Sequence, residues 1–136
     1  MRFLTRISAL ALVGLGACTA TEEPLADTVS RAEFSPEYLG VETRLLQDDL
    51  ISFVVQMRGA RDAEDVAAYS RCAAAQYTLI RGYSFAQHIR TRTGKEGGLW
   101  AADAVYTISQ EFPDGVVTLR ADDVVAQCKS NGIPTV

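Results

Sequence analysis

The feature that most restricts the fold is the stretch from Asp62 to Gly82. It reads as one long helix, apolar around too much of its girth to stand alone. Val66, Tyr69, Ala73, Tyr77 and Ile80 recur at spacings of three and four and define a stripe, which Ala68, Cys72, Ala75 and Leu79 broaden. Asp62 is placed to cap the first turn, where Glu64 and Asp65 suit the positive end of the helix dipole. The helix should end at Arg81, with Gly82 supplying the left-handed closing residue. A helix with so wide an apolar face needs neighbours on two sides.

The flanking segments provide them. Val41–Leu46 and Leu50–Met57 are extended-type runs separated by Gln47-Asp48-Asp49, and Gly59 closes the pair. After Gly82 the period changes to two. Tyr83, Phe85, Gln87, Ile89 and Thr91 alternate with Ser84, Ala86, His88, Arg90 and Arg92, as in a half-buried strand. Gly94–Gly98 is a glycine-rich turn. Leu99–Phe112 returns as a strand with Trp100, Ala102, Ala104, Tyr106 and Ile108 on one face. Val116–Leu119 can extend briefly. A last helix runs from Ala121 to Asn131 and closes at Gly132, with Ile133 as the apolar contact of a Schellman cap. Hairpins favour antiparallel pairing. The expected fold is therefore a two-layer α+β domain, with about four antiparallel strands, two helices on one face and the order β-β-α-β-β-α.

Upstream of residue 39 the chain changes character. Arg2 and Arg6 precede an apolar run from Ile7 to Leu15, too short for a membrane span, which needs roughly 20 apolar residues, but of signal-peptide length. It ends in Leu15-Gly16-Ala17-Cys18, which resembles the lipobox of bacterial lipoproteins. That resemblance implies cleavage after Ala17, a diacylglycerol on Cys18 and acylation of the new amino group. Several acyl chains give stable anchoring where one does not. Thr19 follows the cysteine, and the absence of aspartate there favours the outer membrane in a host with two. Residues 1–17 are then a leader, 18–38 a lipidated cysteine and polar tether, and 39–136 a single domain. The expected location is the cell envelope, facing the periplasm.

The run Cys72-Ala73-Ala74-Ala75-Gln76-Tyr77-Thr78-Leu79-Ile80-Arg81-Gly82-Tyr83-Ser84-Phe85, the ending Gly132-Ile133-Pro134 and the lipobox together resemble a group of small, uncharacterised alphaproteobacterial lipoproteins. The resemblance spans roughly residues 50–136 and rests on packing residues. It implies the fold and the address, and it brings no catalytic set.

Charge and cysteine usage narrow the function further. The 136-residue chain carries 13 basic and 17 acidic side chains, net −4; without residues 1–17 the balance is 11 to 17, or −6. A nucleic-acid binder normally shows a basic surplus, so nucleic acid is not an expected partner. Cys72 and Cys128 fall in the two helices, and outside the cytoplasm such thiols oxidise, so a bridge between them is expected. His88 is the only histidine. A Cys72–His88 thiolate dyad would require a free, exposed thiol, against the disulfide. No zinc spacing, calcium loop or phosphate-binding glycine motif occurs, so neither cofactor nor metal is expected. One surface feature stands out. His88, Arg90 and Arg92 should project from one strand face, with Lys95 following in the turn, as a positive stripe able to dock an anionic lipid, an envelope glycan or an acidic protein surface. The leading expectation is a non-enzymatic, anchored structural or protein-interaction module. A binding module for an anionic lipid or glycan is the alternative.

Overall fold

In the computed structural model, which describes residues 34–136, strands β1 (Glu37–Gln47) and β2 (Leu50–Arg58) precede helix α1 (Ala63–Ile80). Strands β3 (Phe85–Glu96), β4 (Leu99–Ser109) and β5 (Leu119–Arg120) and helix α2 (Ala121–Ser130) complete the domain. The leader, Cys18 and most of the expected tether lie outside the described residues. The strand order is β1-β2-β4-β3-β5, with every pairing antiparallel. The α+β expectation is met, with a fifth, two-residue strand added.

Hydrophobic alternation decides which sheet face is covered. Ile51, Phe53, Val55 and Met57 of β2 and Ala102, Ala104, Tyr106 and Ile108 of β4 share a buried face. Val66, Tyr69, Ala73 and Ala74 of α1 pack onto it. Phe53 meets Tyr77 edge-on, ring centroids 5.5 Å apart, and Tyr106 at 6.1 Å, an arrangement that adds to simple area burial. The helix α1 lies over β2, β4 and β3, whereas α2 packs chiefly against α1 and β5.

Asp62 caps α1 as expected, its side chain accepting from the Glu64 and Asp65 amides. Both helices end in Schellman motifs: Tyr83 N–H donates to Thr78 O and Ile133 N–H to Cys128 O, each at 2.9 Å, after glycines at positive φ. Ile133 then packs against both core clusters.

Some expectations need correction. Ile80, placed on the buried stripe, is 62% exposed, and Leu79 faces solvent as well. Ser70 and Thr78 are buried instead. They can be, because each hydroxyl donates to a backbone carbonyl of its own helix, Ser70 to Ala67 O and Thr78 to Ala74 O, both 2.7 Å. The glycine-rich turn is only Gly97-Gly98, both at positive φ, so β3 runs on to Glu96 and Lys95 belongs to a strand. Strand β4 stops at Ser109 and the extended stretch near Val116 shrinks to Leu119–Arg120. Strand β1 already includes Glu37 and Tyr38. Tyr38 is held by an edge contact to Tyr69, centroids 4.8 Å apart, and the Tyr69 hydroxyl accepts from Gly40 N–H at 3.1 Å.

Candidate functional site

The residues expected to form a positive stripe do not share a face. A β-bulge interrupts β3 between His88 and Arg90. His88 pairs with Tyr106, on the helix-covered side, while Arg90 pairs with Val105 and Arg92 with Asp103, on the open side. Lys95 pairs with Trp100 and returns to the helix side, its ammonium 5.1 Å from the indole centroid. One extra residue reverses the facing of everything beyond it, because side chains alternate strictly along a strand. The single-face stripe of His88, Arg90, Arg92 and Lys95 is therefore corrected to two pairs on opposite faces.

On the helix side, His88 joins a cleft of about 350 Å³ with Glu64, Ala67, Arg71, Thr91, Tyr106 and Leu119. The imidazole Nε2 lies 2.7 Å from Thr91 Oγ1, and its ring meets Tyr106 edge-on at 5.1 Å. Burial pushes the Tyr106 hydroxyl above its ordinary range, with Arg71 acting against that shift. Arg71 also reaches Glu64 at 3.2 Å. The polar groups of this cleft largely satisfy one another. Cys72 does not enter it, because its sulfur is bonded to Cys128.

That bridge joins the two helices with Cα atoms 5.9 Å apart and a sequence separation of 56. Both cysteines are 3% exposed, within a second core cluster that also holds Ala75, Ala121, Val124 and Val125. Two helices whose faces are lined by alanine and valine approach closely enough for the sulfurs to meet. The pairing excludes the thiolate dyad, since a disulfide sulfur is not a free nucleophile.

The open face of the sheet has a regular chemistry. One row across four strands reads Arg44, Ser52, Val105 and Arg90, and the next reads Glu42, Val54, Asp103 and Arg92. Ser52 Oγ donates to Asp103 Oδ1 at 2.6 Å, and Arg90 Nη1 lies 3.5 Å from Asp103 Oδ2. Arg44 and Glu42 pair at 2.8 Å, and that hydrogen bond lowers the Glu42 pKa below its ordinary value. Val105 and Ser52 are only 3% exposed, although no described helix packs on this face, and Arg44 and Arg90 flank them in the same row. The partly exposed Val54 lies between Glu42 and Asp103 within this set of charges. Sequence reasoning singled out Arg90 and Arg92 but not Ser52, Asp103, Glu42 or Arg44. The alternation of β2 and β4 marks them as non-core, whereas their neighbours are set by register.

The basic residues of β3 also have a local explanation. Strand β5 pairs only with Phe85 and Ala86, so the outer edge of β3 from Gln87 onward has no strand partner among the described residues. Bulges and charged side chains are general means of keeping such an edge from pairing with another chain, and β3 carries a bulge with Arg90, Arg92 and Lys95.

With this geometry in place, comparison with known sequences is informative. A family model described as the YNQ4 C-terminal domain matches residues 38–132, from the second residue of β1 to the glycine that closes α2. The chain belongs to this family. A relative from Paracoccus denitrificans, described as an uncharacterized 26.9 kDa protein in the nqo8 5' region, is 34% identical over 87 residues. The match covers 64% of this chain and 34% of that protein, so the chain corresponds to about a third of its relative's length. No solved structure gives a significant match. The YNQ4 C-terminal domain is thus represented here by a disulfide-linked helix pair on one side of an antiparallel sheet. Among its described residues no three His, Cys, Asp or Glu side chains converge as metal ligands, and no described helix is long and apolar enough to cross a membrane.

Proposed function

We propose that this YNQ4 C-terminal domain is a non-enzymatic protein-interaction module, held at a membrane of the cell envelope by lipid on Cys18 and facing the periplasm of a two-membrane host. The open sheet face carries this reading: the partly exposed Val54 lies among Glu42, Arg44, Arg90, Arg92 and Asp103, on the side opposite the described helices. One row has Arg44 and Arg90 at its ends and the next sets Glu42 and Asp103 beside Arg92, a mixture of signs that suits a complementary protein surface better than a polyanion, which would meet Glu42 and Asp103 alongside the arginines. The Cys72–Cys128 pair supports the compartment, since oxidised pairs persist outside the reducing cytoplasm. The anionic lipid or glycan reading asked for four cations on one face, and the bulge in β3 leaves it Arg90 and Arg92, both beside Asp103.

The test uses the full chain in its own membrane. A photo-crosslinking side chain at Val54 should trap an envelope protein, whereas one at Lys129, on the outer side of α2, should not. Equal trapping at both positions, or none at Val54, removes the interaction reading. For the anchor, metabolic palmitate label should disappear in Cys18→Ser; label that survives that change defeats it.

A further inference from the structure

Among the described residues the outer edge of β1 has no strand partner, and it differs from that of β3. It is eleven residues long, it carries neither lysine nor proline, and it exposes Leu39, Leu45 and Leu46 at 44, 57 and 49%. Helix α1 spreads over β2, β4 and β3 and meets β1 through Tyr69 at Tyr38 and Gly40; Val41 is partly buried, and Glu42 to Gln47 are exposed among the described residues. Irregularities fall at Tyr38/Gly40 and Leu45/Gln47, so the ladder from Gly40 to Leu45 is regular and bounded at both ends. Between those irregularities the edge carries one negative and one positive side chain, Glu42 and Arg44, rather than the like charges of β3, and a regular edge of this kind is a template for another strand.

The sequence of that edge is complementary to itself. In an antiparallel pairing of two copies about a two-fold axis at Thr43, Glu42 of one chain lies opposite Arg44 of the other, and Arg44 opposite Glu42. Val41 lies opposite Leu45, and Thr43 opposite Thr43. Each is a favourable cross-strand pair. The facing agrees as well. Val41, Thr43 and Leu45 pair with Val55, Phe53 and Ile51 and so belong to the helix side, while Glu42 and Arg44 belong to the open side. The apolar pairs would extend the core and the charges would form a four-membered cluster on the open face. We infer that the domain forms a two-fold dimer in which β1 pairs antiparallel with β1 of a second copy, centred on Thr43, joining two five-stranded sheets into one of ten. The contact is isologous and closes on itself, so it ends at two copies and does not grow into a fibre. It rests on the strand edge alone and stands or falls separately from the partner of the open face.

Site-directed disulfide trapping in the full chain tests this. Thr43→Cys should give, on mild oxidation in the membrane, a species of twice the mass that reduction reverses. Leu46→Cys lies on the same edge but, in this register, about 20 Å from its counterpart, given roughly 3.4 Å per strand residue. It should give at least tenfold less. Glu42→Arg and Arg44→Glu, each in the Thr43→Cys background, should lower the trapped fraction severalfold, and the two together should restore it. Intact Cys72–Cys128, shown by peptide mapping, verifies that each variant is folded. If folded Thr43→Cys crosslinks no better than Leu46→Cys, or if the double charge reversal fails to restore trapping, the dimer is wrong.

Discussion

His88 and Arg90 stand two residues apart on β3 yet face opposite sides of the sheet, because the ladder pairs His88 with Tyr106 and Arg90 with Val105. The bulge separates a solvent-exposed polar cleft beside α1, lined by His88, Glu64 and Arg71, from the charged lattice of the open face. Arg90, Arg92 and Lys95 lie along an edge that lacks a strand partner among the described residues.

That placement predicts that the basic residues keep the β3 edge from pairing. Arg92→Thr with Lys95→Thr should change the stability of the fold by less than about 1 kcal/mol, since only exposed charges and one cation–aromatic contact are lost. It should nevertheless produce concentration-dependent association beyond that of the unaltered chain. Sedimentation velocity at several concentrations checks this; unchanged profiles would show that the charges have no guarding role.

The Cys72–Cys128 bridge closes a separation of 56 residues, for which loop-closure entropy gives about 4 kcal/mol. Urea unfolding with and without reductant, or with Cys72→Ala and Cys128→Ala together, should show a loss near that size. Both sulfurs lie in the core, so the midpoint should fall even in the alanine pair. A loss below about 1 kcal/mol would mean the reduced chain retains most of the constraint by packing.

Gly59 occupies φ +73°, and a β-carbon there would come 2.5 Å from the Ser35 carbonyl oxygen, a backbone atom that cannot rotate away. Gly59→Ala should therefore destabilise by about 1–3 kcal/mol through backbone strain alone, with more if the Ser35 segment is displaced. Gly82→Ala shares the positive φ but meets nothing within 4 Å, and should cost less. Thermal denaturation of the two variants side by side tests the ordering.

Asp65 accepts from the Arg61 guanidinium at 2.9 and 3.0 Å and from the Arg61 amide at 2.8 Å. The side-chain hydrogen bond from Arg61 lowers its pKa, with burial acting in the opposite direction. A carboxyl whose folded value lies below its unfolded one stabilises the fold above the unfolded value, and that contribution fades as pH drops through the folded value. Stability should thus decline as pH falls below about 4, near the ordinary aspartate value, and Asp65→Asn should flatten part of that decline. An acid limb of the same steepness in the variant would show that Arg61 and Asp65 are not coupled in solution.

The sequence by itself determined the elements and their caps. Asp62, Gly82 and Gly132 set helix ends through local hydrogen bonds, and the alternation in β2 and β4 chose the buried face, since both effects act within a few residues. It also placed Cys72 and Cys128 on helices that had to share one side of a sheet. Register and edges were decided only by the tertiary structure. The bulge beside Ile89 reverses the facing of the residues after it, and nothing in the local alternation announces it. Likewise β4 inserts between β2 and β3, which brings Ser52 to Asp103 across 51 residues and leaves β1 at the edge of the sheet among the described residues. Pairing energies are shared along a whole strand, so one residue's neighbours depend on where every other residue of the ladder has settled.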